Sequence, residues 1–212
     1  MTDYFKTLSL AALLAFAGPA LAQEADTPTE DAPAQATDGL NMGEPAGSRQ
    51  DAEGPGSTYI EAEFGDWQQR CVRAPDGNDP CQLYQLLRDG DGNAVAEMSI
   101  FPLPPGREAA AGSTIITPLE TLLTRSITLS VDGSQPKRYP FEFCTQQGCI
   151  SRVGFTAAEV EQFKRGAAGR MVIVPAAAPD QTISLTISLS GFTAGFEAVT
   201  EANANAGQAA PE

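Results

Sequence analysis

Four cysteines are the residues of this chain best suited to chemistry: Cys71, Cys81, Cys144 and Cys149. Their thiols could form a redox centre, a metal site or structural disulfides. A thioredoxin-type redox centre needs Cys-x-x-Cys at the start of a helix, where the helix dipole lowers the thiol pKa. Here four residues separate Cys144 from Cys149, and the preceding "YPFEF" favours a strand. Structural zinc sites use Cys-x-x-Cys knuckles or add histidine, and neither occurs in this chain. Of the three pairings that four cysteines allow, the local spacing favours the disulfides Cys71–Cys81 and Cys144–Cys149.

The chain contains no histidine. This absence removes Ser-His-Asp and Cys-His catalysis, histidine-ligated metals and the usual pH switch. Acid–base chemistry by two carboxylates is the alternative, and it would draw on Asp66, Glu97, Glu120 and Glu142. Glu97 and Glu142 alternate with apolar neighbours, which favours solvent-facing strand positions over catalytic ones. No catalytic residue is therefore predicted.

Metal and cofactor sites are not predicted either. The stretch "DGDGN", Asp89 to Asn93, begins like a calcium loop. The pattern then fails, because Ala94 replaces the expected glycine and Ile100 stands where the bidentate glutamate belongs. A glycine-rich hairpin turn explains the stretch better.

Two aromatic residues, Trp67 and Tyr139, are candidates for contact with a ligand or partner. Trp67 is the only tryptophan and lies four residues before Cys71. A lone tryptophan beside a disulfide most often packs in a sandwich core, and the alternative is a stacking platform for a ligand.

Composition divides the chain into a folded part and polar flanks. The N-terminus reads as a secretory signal peptide over residues 1–22, with an apolar stretch "LSLAALLAFAG" and small residues before a cleavage point between Ala22 and Gln23. Residues 23–58 are rich in Pro, Gly, Ala and acids, which predicts a disordered linker. The folded domain is expected over 59–199, followed by a disordered tail over 200–212. The net charge of −14 disfavours nucleic-acid binding, and no segment after the signal is apolar enough to insert into a membrane.

Inside the folded part the hydrophobic period is mostly two. "SITLSV" alternates Ile127, Leu129 and Val131 with polar residues, and "TISLTISLS" repeats the pattern near the C-terminal end. "YPFEF" alternates in the same way, and further strands are expected at 64–73, 81–88, 94–101 and 170–174. One helix is predicted over about 156–165, with Thr156 as N-cap, Glu159 completing a capping box and Gly166 at the end. These elements predict an all-β, immunoglobulin-like antiparallel sandwich with one short helix and two local disulfides.

Three ordered motifs give the chain a family resemblance. They are G-D-W-x-x-x-C at 65–71, P-F-x-x-C-x-x-x-G-C at 140–149 and S-L-x-G-F at 188–192. The chain resembles the invasion-associated locus B family over about residues 60–199. The resemblance implies export by an alphaproteobacterium, an immunoglobulin-like β-sandwich and a link to host-cell invasion. It implies no enzymatic activity, cofactor or catalytic residue.

The resulting hypothesis is a non-enzymatic periplasmic or secreted protein that binds an envelope or cell-surface protein, without a cofactor. One alternative is a small-ligand or carbohydrate-binding module that uses Trp67 or Tyr139. The other is a carboxylate-based hydrolase.

Overall fold

The computed structural model describes residues 54–208. The predicted signal peptide, residues 23–53 of the predicted linker and residues 209–212 lie outside the described residues. The described part contains eleven strands and two helices. The strands are β1 (Thr58–Phe64), β2 (Trp67–Val72), β3 (Cys81–Arg88), β4 (Ala94–Pro102), β5 (Ala111–Thr117), β6 (Ile127–Val131), β7 (Lys137–Tyr139), β8 (Phe143–Thr145), β9 (Gly148–Phe155), β10 (Ala168–Ile173) and β11 (Ile183–Ser188). The helices are α1 (Ala157–Arg165), which follows β9, and α2 (Phe192–Gln208), which follows β11.

All eleven strands belong to one antiparallel sheet with two sections. The four-stranded section has the order β7-β6-β10-β11, and the seven-stranded section is formed by β1, β2, β3, β4, β5, β9 and β8. One residue pair, Thr186 with Arg88, joins β11 to β3. The predicted all-β class is confirmed. Instead of two separate sheets of a sandwich, the chain forms two sections of one curled, half-barrel sheet.

The inward faces of both sections supply one hydrophobic core. Ile127 and Leu129 of β6 are buried with Leu185 and Ile187 of β11, as their alternation predicted. The core also holds a chain of aromatic rings with neighbouring centroids 5.1–6.1 Å apart. In order, these rings are Trp67, Phe192, Phe163, Phe155 and Tyr139.

One predicted strand is interrupted. "YPFEF" alternates like a single strand, but β7 ends at Tyr139 and β8 begins at Phe143. Pro140 has no N–H for a ladder bond, and its carbonyl accepts a hydrogen bond from the Ser151 hydroxyl instead (2.8 Å). Phe143 consequently lies 43% exposed rather than in the core. Similarly, the expected strand at 64–73 is broken by the turn between β1 and β2.

Helix α1 has the ends that its sequence predicted. The Thr156 side chain accepts from the Glu159 N–H, the Glu159 carboxylate accepts from the Thr156 N–H, and the Gly166 N–H donates to the Gln162 carbonyl. The apolar residues Val160 and Phe163 face the core.

Helix α2 corrects the prediction of a disordered tail from residue 200. It continues to Gln208, because Val199 is fully buried and the Asn203 amide bonds to both backbone groups of Cys81 (2.8 and 2.9 Å). The composition of "TEANANAGQ" gives no sign of this contact with a residue more than a hundred positions away.

Candidate functional site

Both predicted disulfides are present. Cys71 of β2 bonds Cys81 of β3, and Cys144 of β8 bonds Cys149 of β9. Each joins residues that are directly opposite in neighbouring strands. Each disulfide closes the loop between two neighbouring strands, which agrees with a structural role.

Trp67 lies in the core, which corrects its candidacy as a ligand platform. The side chain is 0% exposed, and its ring meets Phe192 edge to face at 5.4 Å. The indole N–H donates to the Ser188 carbonyl (2.7 Å). Because every face of the ring and its one donor are occupied by the protein, Trp67 has no surface to offer a ligand.

A buried glutamine connects the two sections of the sheet beside Trp67. The Gln85 carbonyl oxygen accepts from the Ser188 N–H (2.9 Å), and its amide donates to the Ser188 and Asp66 carbonyls (3.1 and 3.3 Å). The Ser188 hydroxyl donates to the Asp66 carboxylate (2.5 Å). We call Asp66, Trp67, Gln85 and Ser188 the clasp. It lies near the narrow junction of β3 with β11, where only one ladder pair holds the sheet together.

Two tight turns press against each other at the clasp. Gly65 and Gly191 both have positive φ angles, of 58° and 83°. A Cβ on Gly65 would lie 2.6 Å from the Ser190 carbonyl oxygen, and one on Gly191 would lie 2.0 Å from the Phe64 carbonyl oxygen. Only glycine fits these positions. The G-D-W and S-L-x-G-F motifs, whose Asp66 and Ser188 are 122 positions apart in sequence, therefore form one structural contact.

Tyr139 faces a cleft of about 320 Å³ between the β6–β7 hairpin and the start of α1. We call it the tyrosine cleft. Its lower wall is aromatic, with Phe155 and Phe163 behind Tyr139. Lys137 and Glu159 form an ion pair there (2.7 Å), and the Tyr139 hydroxyl donates to the same carboxylate oxygen (3.4 Å). Of the two predicted contact residues, Trp67 is fully buried, whereas Tyr139 is half-buried and lines this cleft.

The charged groups of the tyrosine cleft neutralise each other, because Lys137 pairs with Glu159. Burial, together with the neighbouring Glu159 carboxylate, raises the pKa of Tyr139 to about 12. Burial alone would raise the pKa of Glu159, but hydrogen bonds from Lys137 and Thr156 hold it below its usual value. At neutral pH the cleft therefore presents a protonated phenol beside a neutralised ion pair, which suits ring stacking and hydrogen bonding.

Ser134 and Lys137 in this cleft have the S-x-x-K spacing of some serine acyltransfer enzymes. The spacing here falls on a hairpin. Ser134 accepts a hydrogen bond from the Val131 N–H (3.1 Å), and the Lys137 ammonium is held by Glu159. Its ion pair with Glu159 keeps Lys137 protonated, so it is not available as a base to activate Ser134.

The four carboxylates considered for acid–base chemistry are dispersed. Asp66 belongs to the clasp, Glu142 pairs with Arg152 (3.7 Å), and Glu97 and Glu120 are exposed on a strand and a loop. Within residues 54–208, no three His, Cys, Asp or Glu side chains lie close enough together to hold a metal ion.

The outward face of the seven-stranded section carries a row of apolar residues. The strand register places Leu86, Glu97, Ile116, Ile150 and Phe143 opposite one another in five consecutive strands. We call Leu86, Ile116, Ile150 and Phe143 the apolar row. Leu86 is 38% and Phe143 is 43% exposed. This row cannot be recognised in the sequence, because its members come from four separate segments and only the strand register aligns them.

Neither helix in the described part of the chain has the length and apolarity of a membrane span.

Comparison with known proteins identifies a related group. The model of the family described as "Invasion associated locus B (IalB) protein" matches residues 67–200. Two Invasion protein B homologues of Brucella abortus, one from strain 2308 and one from biovar 1, are each 23% identical over 144 residues, which are 68% of this chain and 81% of theirs. The crystal structure of invasion associated protein B from Bartonella henselae matches with a TM-score of 0.51 at 18% identity, over 65% of this chain and 94% of that one. That structural likeness supports the fold.

Proposed function

The chain belongs to the invasion-associated locus B family, and from that premise we propose that it is an exported, non-enzymatic protein that binds a protein partner in the cell envelope or at a cell surface. The observation that carries the proposal is the apolar row. Leu86 and Phe143 at the two ends of the row are exposed, Ile116 and Ile150 between them are half-buried, and Glu97 is the one charged residue in the line. Accessible apolar residues aligned on a sheet face beside a polar one are typical of a protein–protein contact. Residues of the G-D-W and S-L-x-G-F motifs form hydrogen bonds with one another in the clasp, where they stabilise the fold. We therefore place the contact on the surface rather than at these motifs.

Export to the periplasm or beyond is supported by both disulfides, since such bonds persist in oxidising compartments. The signal-like N-terminus supports the same location. Cell fractionation followed by peptide mapping without reductant would test it. Cytoplasmic recovery with free thiols would contradict export.

Position-specific crosslinking in cells tests the interaction itself. A photoreactive benzoylphenylalanine replaces Leu86 or Ile116 in the row, and Glu197 on the exposed face of α2 serves as the control position. We expect the same envelope protein to be captured from both row positions and not from Glu197. An Ile116→Lys change should abolish capture from position 86. Equal capture from all three positions, or from none, would contradict a contact at the row.

A second candidate is small-ligand binding in the tyrosine cleft, and its supporting observation is the half-buried ring of Tyr139 above an aromatic wall. A panel of aromatic compounds and short saccharides, screened by thermal shift, would test this function. We expect any stabilisation to be lost in Tyr139→Leu and kept in Tyr59→Leu. A compound that stabilises both variants equally would bind elsewhere.

A further inference from the structure

The outward face of the four-stranded section differs in chemistry from the rest of this acidic chain. Its strands β6, β7, β10 and β11 contain no Asp or Glu. Arg138 lies opposite Thr128, and Arg170 lies opposite Ser130 on one side and Thr186 on the other. Arg125 lies two residues before β6 and lines the same depression as Arg138. The arginine face, as we call it, consists of Arg125, Arg138 and Arg170 with Thr128, Ser130, Ser184 and Thr186.

Two of the arginines line a depression of about 320 Å³ at one end of this face. The polar residues around Arg125 and Arg138 all carry hydroxyl groups. They are Thr124, Ser126, Thr128 and Thr182, and Val172 and Val174 complete the wall. Guanidinium and hydroxyl donors without a carboxylate among them make a site that suits an anion.

The backbone on both sides of this depression is fixed. The Leu122 N–H donates to the Val174 carbonyl (2.7 Å), and the Ala176 N–H donates to the Glu120 carbonyl (2.7 Å). The Arg125 N–H in turn donates to the Leu122 carbonyl (3.0 Å). Since the loops are tied to each other, the position from which Arg125 projects is set before any ligand arrives.

The three guanidinium groups are not neutralised by the described protein. The ion pairs found within residues 54–208 involve Lys137, Arg152 and Lys164, and none involves the arginine face. Arg170 donates only to the neutral Ser184 hydroxyl (2.7 Å). Three exposed cations on one face keep their capacity for bidentate hydrogen bonds to an anionic ligand.

We propose that the arginine face binds a linear sulfated polysaccharide, with one sulfate in the depression between Arg125 and Arg138 and a further one at Arg170. The ligand must be extended, because β7 and β10 are two strands apart and their residues are separated by about 10 Å across the sheet. Hydroxyl-bearing residues between the cations match the hydroxyls of a sugar chain. A protein partner would need apolar anchors, and this face offers small polar residues on β6, β10 and β11. This face lies on a different section of the sheet from the apolar row, so loss of binding at one surface does not imply loss of binding at the other.

Heparin oligosaccharides of defined length are the probe, and binding to the full chain from Gln23 onward is measured by calorimetry at two salt concentrations. The test variant is Arg125→Ser with Arg138→Ser. The control is Arg107→Ser with Arg165→Ser, which changes the net charge equally at exposed positions elsewhere. We expect the test variant to bind at least about tenfold more weakly, and the control to stay within about twofold of the wild type. Because the binding depends on exposed guanidinium groups attracting sulfates, affinity should fall steeply with salt.

Other anions separate this proposal from general charge attraction. We compare the affinity for heparin with that for four other ligands under the same conditions. They are desulfated heparin of the same length, polyglutamate, a single-stranded oligonucleotide and vesicles with anionic lipids. We expect all four to bind at least about tenfold more weakly than heparin. Equal binding of any of them, equal weakening by the control variant, or no binding of heparin to the wild type would overturn the proposal. Circular dichroism of both variants shows whether a loss reflects unfolding instead, and an Arg170→Ser variant then repeats the test at an independent position.

Discussion

The clasp and the arginine face are both polar, but they use their hydrogen-bonding groups in opposite ways. In the clasp, buried donors and acceptors of Trp67, Gln85 and Ser188 are paired with one another. On the arginine face, the guanidinium groups are exposed and have no charged partner among the described residues. Paired polar groups specify architecture, whereas unpaired exposed ones are available to a ligand. The residues most useful for recognising the family are therefore not those best placed to bind a ligand.

Breaking the turn contact at the clasp should have the largest effect. Gly191→Ala combines a positive φ with a Cβ only 2.0 Å from the Phe64 carbonyl oxygen, so we expect a loss of about 4 kcal/mol or more in the free energy of unfolding. Gly92→Ala is the matched control, since Gly92 has a similar φ of 85° and nothing within 4 Å. It should cost only about 1–2 kcal/mol. Urea denaturation measures both, and equal losses would show that the turn contact contributes nothing.

Removing the side-chain amide of Gln85 from the clasp should cause the next largest loss of stability. Gln85→Leu keeps the size of the side chain but removes the partner of the Ser188 N–H and of the Asp66 carbonyl, while the Ser188 carbonyl keeps only its bond from Trp67. We expect a loss of about 2–4 kcal/mol in urea denaturation. Gln82→Leu, on the same strand but facing outward, should change stability by less than about 1 kcal/mol. A Gln85→Leu protein as stable as wild type would argue against a clasp.

One of the two disulfides joins β2 and β3, the strands that carry Trp67 and Gln85 of the clasp. The Cys71–Cys81 bond spans ten positions of sequence and the Cys144–Cys149 bond spans five. In the chain-entropy model, replacing the first pair with alanine should cost about 3 kcal/mol and the second about 2 kcal/mol. The measured order of the two double variants in urea tests this, and the reverse order would indicate strain or residual structure.

The tyrosine cleft gives an effect that depends on pH. The pKa of Tyr139 is raised from 10.0 to about 12 in the folded protein, so the unfolded state loses its proton first as the pH rises. The stabilisation is complete below pH 10 and is lost as the pH approaches 12. Tyr139→Phe should therefore show a smaller alkaline loss of stability than the wild type. Identical alkaline profiles would show that Tyr139 is not buried beside Glu159.

The smallest effect is expected on the arginine face. Arg125→Ser with Arg138→Ser should change the free energy of unfolding by no more than about 0.5 kcal/mol, or should stabilise slightly because like charges are removed. Thermal unfolding without ligand checks this. A loss of stability comparable to that of Gln85→Leu would show that these arginines stabilise the fold, as the residues of the clasp do.

Short-range features of the sequence predicted the structure well. The capping box of α1, the alternation of β6 and β11 and both disulfide pairs depend on residues within about ten positions of each other. The failures share the opposite property. Trp67 is covered by Phe192, and the predicted tail is helical because Asn203 bonds Cys81, and both contacts join residues more than a hundred positions apart.

The all-β class, the local disulfides and the capped helix could be predicted from the sequence, because periodicity, loop closure and capping act over neighbouring residues. The family motifs could be read from it directly. The fold, in contrast, brings two distant glycine turns together at the clasp and aligns apolar residues of four strands in one row. It also gathers three arginines on one face whose strands carry no carboxylate. Strand order and register produce these arrangements, and they follow from burying one common core rather than from any single segment.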